Sequence, residues 1–179
     1  RPETLSEFRR ALELDPNSSF INFVYAFALM ATGDLDGAIK QYQRTLELNN
    51  IHPDMEWDYG MALGYAGRFD EARQAFHRNR RMKGQSEEPL GGLEAYFTGD
   101  PEKCRRDLKG MEEAVLAGRE DRLDLVRQAS MVGETDLAFR WLERAIEARE
   151  TQVIWLRIDP RLKPLRGDPR FKTLAARLG

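Results

Sequence analysis

Few side chains in this sequence of 179 residues have the type and spacing that catalysis requires. The two histidines, His52 and His77, are the candidates for a general base, but no Ser or Cys nucleophile stands at a recognisable spacing from either of them. The pair Gly91-Gly92 lacks the Lys-Ser/Thr that follows the glycines of a phosphate-binding loop. The sequence therefore predicts that the chain is not an enzyme.

Metal binding would need several His, Cys, Asp or Glu side chains that converge on one point. Asp54, Glu56 and Asp58 alternate along a predicted helix, so their carboxylates point in different directions, and Trp57 between them argues against a calcium loop. The single cysteine, Cys104, lies among helix-forming residues and is predicted to be a small buried hydrophobic residue. Two His and one Cys are too few for a His/Cys metal cluster or a disulfide framework, so we expect no metal and no cofactor.

The charge of the chain is nearly balanced, with 28 Lys and Arg against 30 Asp and Glu and a net charge of −2. This balance excludes the strong electrostatic footprint of a nucleic-acid-binding domain. The cations Arg78, Arg80, Arg81 and Lys83 are clustered at one predicted helix end, where the helix dipole favours positive charge. No apolar run approaches the roughly 18 residues of a membrane span, and no signal peptide is visible. We therefore expect a cytoplasmic protein that binds neither nucleic acid nor membranes.

Four glycines recur at intervals of 34, 32 and 34 residues, at Gly33, Gly67, Gly99 and Gly133. Five residues after each glycine comes a small side chain, and four residues later comes a large one. The small residues are Ala38, Ala72, Cys104 and Ala138, and the large ones are Tyr42, Phe76, Leu108 and Leu142. Because residues four apart share one face of a helix, the small residue lets a neighbouring helix approach and the large residue fills the groove beside it. Each glycine is predicted to end a helix in the left-handed conformation, so each unit is a helix, a tight turn and a second helix.

Apolar periodicity and capping residues predict where the helices lie. They are expected over residues 3–14, 19–32, 35–48, 53–66, 69–82, 89–98, 101–116, 119–132 and 135–149. Pro89 with Gly91-Gly92 should shorten the sixth of these. Asp159-Pro160 and Asp168-Pro169 are each typical of an N-cap followed by proline, which predicts a short helical turn over 160–165 and a last helix over 168–178. This tail is expected to cover the apolar end of the fold.

The period and the small–large spacing resemble the tetratricopeptide repeat, strongly over residues 2–84, well over 119–148 and weakly over 85–118. The aromatic residue that the family has near the start of each unit is replaced by Asn22 and Glu56. The resemblance implies a single all-α domain, a right-handed α-solenoid (superhelix) of helix-turn-helix repeats with a C-terminal capping helix. Its parts would be a half repeat made of a second helix at 1–18, repeats at 19–52 and 53–84, a degenerate repeat at 85–118, a repeat at 119–150 and the cap at 151–179.

The ending between Trp155 and Phe171 is also similar to the C-terminal region of bacterial signalling and regulatory repeat proteins. In those proteins the repeats follow a winged-helix, nucleotide-cyclase or protein-kinase domain. The similarity implies that residue 179 is the natural end of the chain and that an effector domain lies upstream of Arg1.

The helix predicted over 19–32 is apolar nearly all round, and such helices are normally covered on every side. A neighbouring repeat, an apolar or aromatic-bearing partner segment, or a second copy of the chain could cover it. The family resemblance implies that first helices line a concave groove. The residues expected to line that groove are Phe20, Phe23, Phe27, Asp54, Trp57, Asp58, Met61, Tyr65 and Arg127. Asp54, Asp58 and Arg127 would select the partner by charge.

The resemblance also allows one ligand class to be excluded. The family's two-carboxylate clamp, built from Lys, Asn and Arg, binds the C-terminal tails of chaperones. In the matching places this sequence has Phe23, Phe27, Asp58 and Leu90, so the clamp is absent. We predict a non-catalytic scaffold or adaptor that binds a peptide or helical segment of another protein. The alternative is a regulatory or dimerisation domain of a larger bacterial signalling protein (a winged-helix regulator, nucleotide cyclase or kinase), with self-association through this groove.

Overall fold

The computed structural model describes residues 2–48 and 52–177, with the side chains of residues 2–4 left out. Ten α-helices and two 3₁₀ turns are present in these residues, which contain no strand. They are α1 Pro2–Leu14, α2 Ser19–Thr32, α3 Leu35–Glu47, α4 Pro53–Tyr65, α5 Phe69–Met82, α6 Gly92–Phe97, α7 Pro101–Leu116, α8 Arg122–Met131, α9 Thr135–Glu147, the turns η1 Thr151–Trp155 and η2 Pro160–Leu165, and α10 Pro169–Ala176. The all-α class is confirmed for the described part of the chain.

The helix ends have the chemistry that the sequence predicts. Gly33, Gly67, Gly99 and Gly133 have φ values of 94°, 74°, 90° and 81°, in the left-handed region that a side chain disfavours. The Asp-Pro pairs begin their helical segments as N-caps: Asp159 Oδ1 accepts from the Arg161 N–H at 3.0 Å, as Asp168 does from Arg170 at 2.9 Å. These predictions are confirmed.

The helices form two compact units, and each is described separately. The first unit contains the residues up to Leu90 together with Phe97–Gly99, and the second contains Gly91–Tyr96 and the residues from Asp100 onward. In the first unit each of the helices α1 to α4 packs against the helix that follows it, and α2 also contacts α4. In the second unit α7 packs on α8 and α8 on α9. This adjacent pairing is what a helical repeat requires, whereas the solenoid, its handedness and the single domain stay predictions.

The core of the first unit is built from the predicted small and large residues. Ala38, Tyr42, Ala72 and Phe76 are all fully buried. Gly60 of α4 lies against the Phe76 ring of α5, and an added Cβ would lie 2.8 Å from Cε1 of that ring. Small side chains therefore permit the close helix contact, and the aromatic ring fills the space that they leave.

The core of the second unit is continuous with the tail. Cys104, Leu108 and Leu142 belong to one buried cluster with Leu162 and Phe171. The turn η2 packs against α8, and α10 packs against α9. The tail therefore forms part of the core of the second unit, and its role as the cap of a solenoid stays a prediction.

Most helix boundaries agree with the prediction to within two residues, and the larger differences have identifiable reasons. Helix α6 spans only six residues, because Gly91 and Gly92 delay its start and Gly99 ends it. Helix α8 begins at Arg122 instead of 119, since Asp121 takes the N-cap position after the left-handed Gly118. The turn η1 was not predicted, because its sequence has no capping residue that marks a start. Helix α10 ends at Ala176, and residue 178 of the prediction lies outside the described residues.

Candidate functional site

The outward side of α2 is apolar along its whole length. The buried side of this helix contains Asn22, Ala26, Leu29 and Met30. Residues with the spacing i, i+4, i+7 and i+11 lie on the opposite side. They are Phe20, Val24, Phe27 and Ala31. Phe20 is 70% exposed and the other three are half-buried, and α2 contains no charged residue.

A buried amide holds α2 in this orientation. Asn22 donates from Nδ2 to the carbonyl oxygens of Ser18, at 2.7 Å, and Pro16, at 3.1 Å. Its Oδ1 accepts a hydrogen bond from Gln41 on α3. Ser18 is the N-cap of α2 and moves with it, so the bond to Gln41 is the one that joins Asn22 to another helix. Turning α2 about its axis to bury the outward side would break this bond, at a cost of about 1–3 kcal/mol for the buried group left unsatisfied. The apolar side of α2 therefore stays outward.

Helix α4 continues the same surface with acidic residues. The positions 34 residues after those on α2 are Asp54, Asp58, Met61 and Tyr65. Helices α2 and α4 also contact each other within the first unit. We call the surface formed by Phe20, Val24, Phe27, Ala31, Asp54 and Asp58 the α2–α4 face.

The charge on this face belongs to its two aspartates. Asp54 is exposed, with Oδ1 3.7 Å from Lys83 Nζ and Oδ2 3.4 Å from His52 Nδ1. Asp58 is half-buried and already interacts with another group of the protein. Ion pairs as long and exposed as that of Asp54 with Lys83 contribute little free energy. A partner's cation could therefore replace Lys83 at small cost.

Three aromatic residues that the sequence assigned to the groove are partly used for packing. The ring of Phe23 lies 6.1 Å from that of Tyr42, and the ring of Trp57 lies 5.0 Å from that of Phe76. Tyr65 meets Phe97 edge-on, with 4.9 Å between the ring centroids. All three are half-buried, so each offers only part of its surface to a partner.

Two of the predicted groove residues, Met61 and Arg127, are buried, so the prediction was wrong for them. Met61 is fully buried in the first unit, because neighbouring side chains cover this part of α4. Arg127 lies in the second unit and is only 7% exposed. Its guanidinium donates to Asp159 Oδ2 at 2.9 Å, to Asp124 Oδ1 at 2.7 Å and to Gln152 Oε1 at 3.1 Å. Arg127 therefore anchors the tail on α8 instead of selecting a partner.

The anchoring site of the tail is a buried charge cluster. Asp159 also accepts two hydrogen bonds from the Arg161 guanidinium, both at 2.8 Å. Burial by itself would raise the pKa of Asp159, but the charges and hydrogen bonds of Arg161 and Arg127 outweigh it, so the pKa lies below its usual value. The carboxylate is therefore ionised at neutral pH, between two arginines.

The residues that were candidates for catalysis or metal binding make structural contacts or are buried. His52 is the N-cap of α4, where its Nδ1 accepts from the Asp54 N–H at 3.3 Å. His77 Nε2 lies 3.0 Å from Glu88 Oε1. Cys104 is fully buried, and burial raises the pKa of its thiol to about 12. Among the described residues no group of three His, Cys, Asp or Glu side chains could hold a metal ion.

The basic cluster at the end of α5 is neutralised within the first unit. Arg78 Nε donates to the buried Glu56 Oε1 at 2.7 Å, and Arg81 donates to Glu87 at 3.0 Å. Arg80 Nε donates to the Ser86 carbonyl oxygen at 2.6 Å. Glu56 thus resembles Asn22, its counterpart 34 residues earlier, in being a buried polar residue that ties its helix to a neighbour.

The sequence missed Val24 and Ala31 as members of the face. Both lie on the same side of α2 as Phe20, at positions i+4 and i+11, so helical periodicity alone identifies them. The prediction was limited to residues with large side chains. Within residues 2–48 and 52–177, no helix combines the length and the apolar character needed to cross a membrane.

Comparison with known proteins identifies no relative: the chain matches no protein-family model and no curated protein.

Proposed function

We propose that the chain is a tetratricopeptide-type repeat protein without catalytic activity, and that its α2–α4 face binds a segment of another protein in the cytoplasm. The observation that carries this proposal is the uncharged helix α2, whose outward Phe20 is 70% exposed while the buried Asn22 is hydrogen-bonded to Gln41 of α3. An apolar surface of this kind typically marks an interaction site. The proposal requires no cofactor, nucleic acid or membrane.

The repeat assignment is supported by equivalent positions that share equivalent surroundings. The four small residues that follow the helix-ending glycines are fully buried, and so are three of the four large ones. They are Ala38, Ala72, Cys104 and Ala138, and Tyr42, Phe76 and Leu142. The repeat in the sequence therefore coincides with a repeated pattern of side-chain burial.

The size of the face suits reversible binding. Burying one aromatic side chain contributes about 2–3 kcal/mol at about 25 cal/mol per Å². Two or three such anchors, less the cost of ordering a peptide, correspond to roughly micromolar affinity. An adaptor that exchanges partners works in this range.

A selection of random peptides displayed on phage tests the proposal. Peptides that bind the full chain should lose about tenfold or more in affinity when Phe20 is replaced by Asp, measured by calorimetry. The matched control is Leu116→Asp in α7, because Leu116 is 68% exposed and far from any residue of the face in sequence. Equal affinity for both variants would show that the face is not the binding surface.

A second candidate is a regulatory or dimerisation domain of a larger bacterial signalling protein. It is favoured by one observation, a second exposed apolar patch in the tail, made of Ile154, Trp155 and Ile158. A domain that works by association with its own kind would cover such a patch.

A further inference from the structure

The tail has three exposed apolar side chains close together in sequence. Ile154 is 72% exposed, and Trp155 and Ile158 are 47% and 45% exposed. Ile154 also lines an open cleft of about 570 Å³, together with the buried Ile146 and Val153. The rim of this cleft has two arginines and two glutamates. We call this surface, made of Ile154, Trp155, Ile158 and the cleft, the tail patch.

The free charges of the tail are positive. Residues 151–177 contain seven Lys and Arg but only two Asp. Both aspartates are engaged within the second unit, Asp159 with Arg127 and Arg161, and Asp168 with Arg170. Three exposed cations have no carboxylate partner among the described residues. They are Arg157, Lys163 and Lys172.

One of these cations is placed beside the last helix. Arg157 donates to the Ala175 carbonyl oxygen at 2.9 Å, which brings the segment after η1 next to α10, the helix of Lys172. The tail patch is therefore apolar, with Arg157 and the helix of Lys172 beside it and with both signs of charge on the rim of its cleft. A surface complementary to it would present an apolar side chain that fits a cleft, together with carboxylates.

The α2–α4 face has these two properties. Its most exposed group is the aromatic ring of Phe20, and its two charged residues are Asp54 and Asp58. Complementary charge and shape on two surfaces of one molecule favour association of two copies, and such an association covers both apolar areas at once.

We infer that the occupant of the α2–α4 face is a second copy of this chain: the tail patch of one copy receives Phe20 of the other in its cleft, and the tail cations approach Asp54 and Asp58. This inference rests on the proposed function of the face. The contact joins two different surfaces, so it closes into a ring or pair where the geometry allows and otherwise extends into a chain of copies.

The first test measures oligomeric state by light scattering and sedimentation, from about 1 µM to about 500 µM protein. The wild type should associate, and more weakly as salt screens the charges. Phe20→Asp and Ile154→Asp should each weaken association about tenfold or more, whereas Phe69→Asp should leave it unchanged, because Phe69 belongs to neither surface. All three positions are exposed, so their melting temperatures should match the wild type. A wild type that stays monomeric across the range, or a loss caused by Phe69→Asp as well, would overturn the inference.

The second test is a charge exchange. The tail variant Lys163→Glu/Lys172→Glu should associate with itself about tenfold more weakly than the wild type. Mixing it with the face variant Asp54→Lys should restore association, because the reversed tail of one copy then meets the reversed face of the other. A mixture that associates no better than the tail variant alone contradicts the inference.

The two proposals fail in different ways. If phage-selected peptides bind through Phe20 while the chain remains monomeric, the face binds proteins but not its own tail. If Ile154→Asp abolishes association and Phe20→Asp does not, the tail patch contacts some other surface and this inference is wrong.

Discussion

At the scale of single residues, one backbone position departs from the pattern of the helix ends. Six glycines have the left-handed conformation in the described residues, and the one non-glycine residue that shares it is Arg149, with φ 55°, after α9. Its N–H donates to the Ile146 carbonyl oxygen at 3.0 Å, as in the caps formed by glycine. Arg149 therefore carries strain that glycine would not.

We expect Arg149→Gly to raise the free energy of unfolding by about 0.5–1 kcal/mol, because relief of left-handed strain exceeds the added entropy of the unfolded chain. Urea unfolding followed by circular dichroism measures it. The matched variant Gly133→Ala places a side chain at φ 81° and should lower the free energy by a similar amount. Opposite signs for the two variants support the strain, and equal signs contradict it.

The carboxylate of Asp159 should make the stability of the second unit depend on pH. Replacing it by Asn removes the carboxylate that Arg127 and Arg161 share, at a cost of about 3 kcal/mol at pH 7. Because the folded pKa is lowered, the wild type keeps this contribution above the unfolded pKa of about 3.9 and loses it as the pH falls through the folded pKa. The difference between wild type and Asp159→Asn in urea should therefore shrink below about pH 4. A difference that stays constant from pH 7 to about pH 3 would rule out this origin.

The candidate site was only partly readable from single residues. Phe20 and Asp54 were predicted to be on the surface and are exposed. Met61 was misplaced because periodicity tells which side of a helix a residue occupies, but not whether another segment covers that side. Arg127 was misplaced because its counter-ion, Asp159, comes 32 residues later in an irregular tail.

At the scale of elements, the sequence determined helix starts and stops wherever a residue with a special backbone or capping role was present. Helices α2 and α5 have the predicted bounds, 19–32 and 69–82. The turn η1 escaped prediction because its single 3₁₀ turn has neither a side-chain cap nor a long apolar period. Packing against the rest of the second unit, where Val153 is buried, decides its conformation.

The contact of α4 with α5 should tolerate no added atom at Gly60. Gly60→Ala puts a Cβ 2.8 Å from the Phe76 ring and should lower the free energy of unfolding by about 1–3 kcal/mol. Gly110→Ala in α7 is the control, since nothing lies within 4 Å of the added Cβ and alanine favours a helix by about 1 kcal/mol. Thermal unfolding of both variants checks the pair. A Gly60→Ala protein as stable as the wild type would show that the helices can separate freely.

At the scale of the whole molecule, the proposed role needs shape and exposed surface more than reactive groups. Cations of the basic cluster and the predicted charge selector are paired within the units: Arg78 with Glu56, Arg81 with Glu87 and Arg127 with Asp159. The two proposals instead use exposed apolar surfaces, the uncharged side of α2 and the tail patch. Apolar contact thus supplies binding free energy, and a few charges set the choice of partner.

The burial of Cys104 has a practical consequence for following these interactions. The only native thiol is inside the second unit and is protonated at neutral pH, since its pKa is about 12. A maleimide dye at pH 7 should therefore leave the folded wild type unlabelled and react with a cysteine introduced at exposed Lys163. Fluorophores could be attached to chosen surface positions for energy-transfer measurements without first removing the natural cysteine.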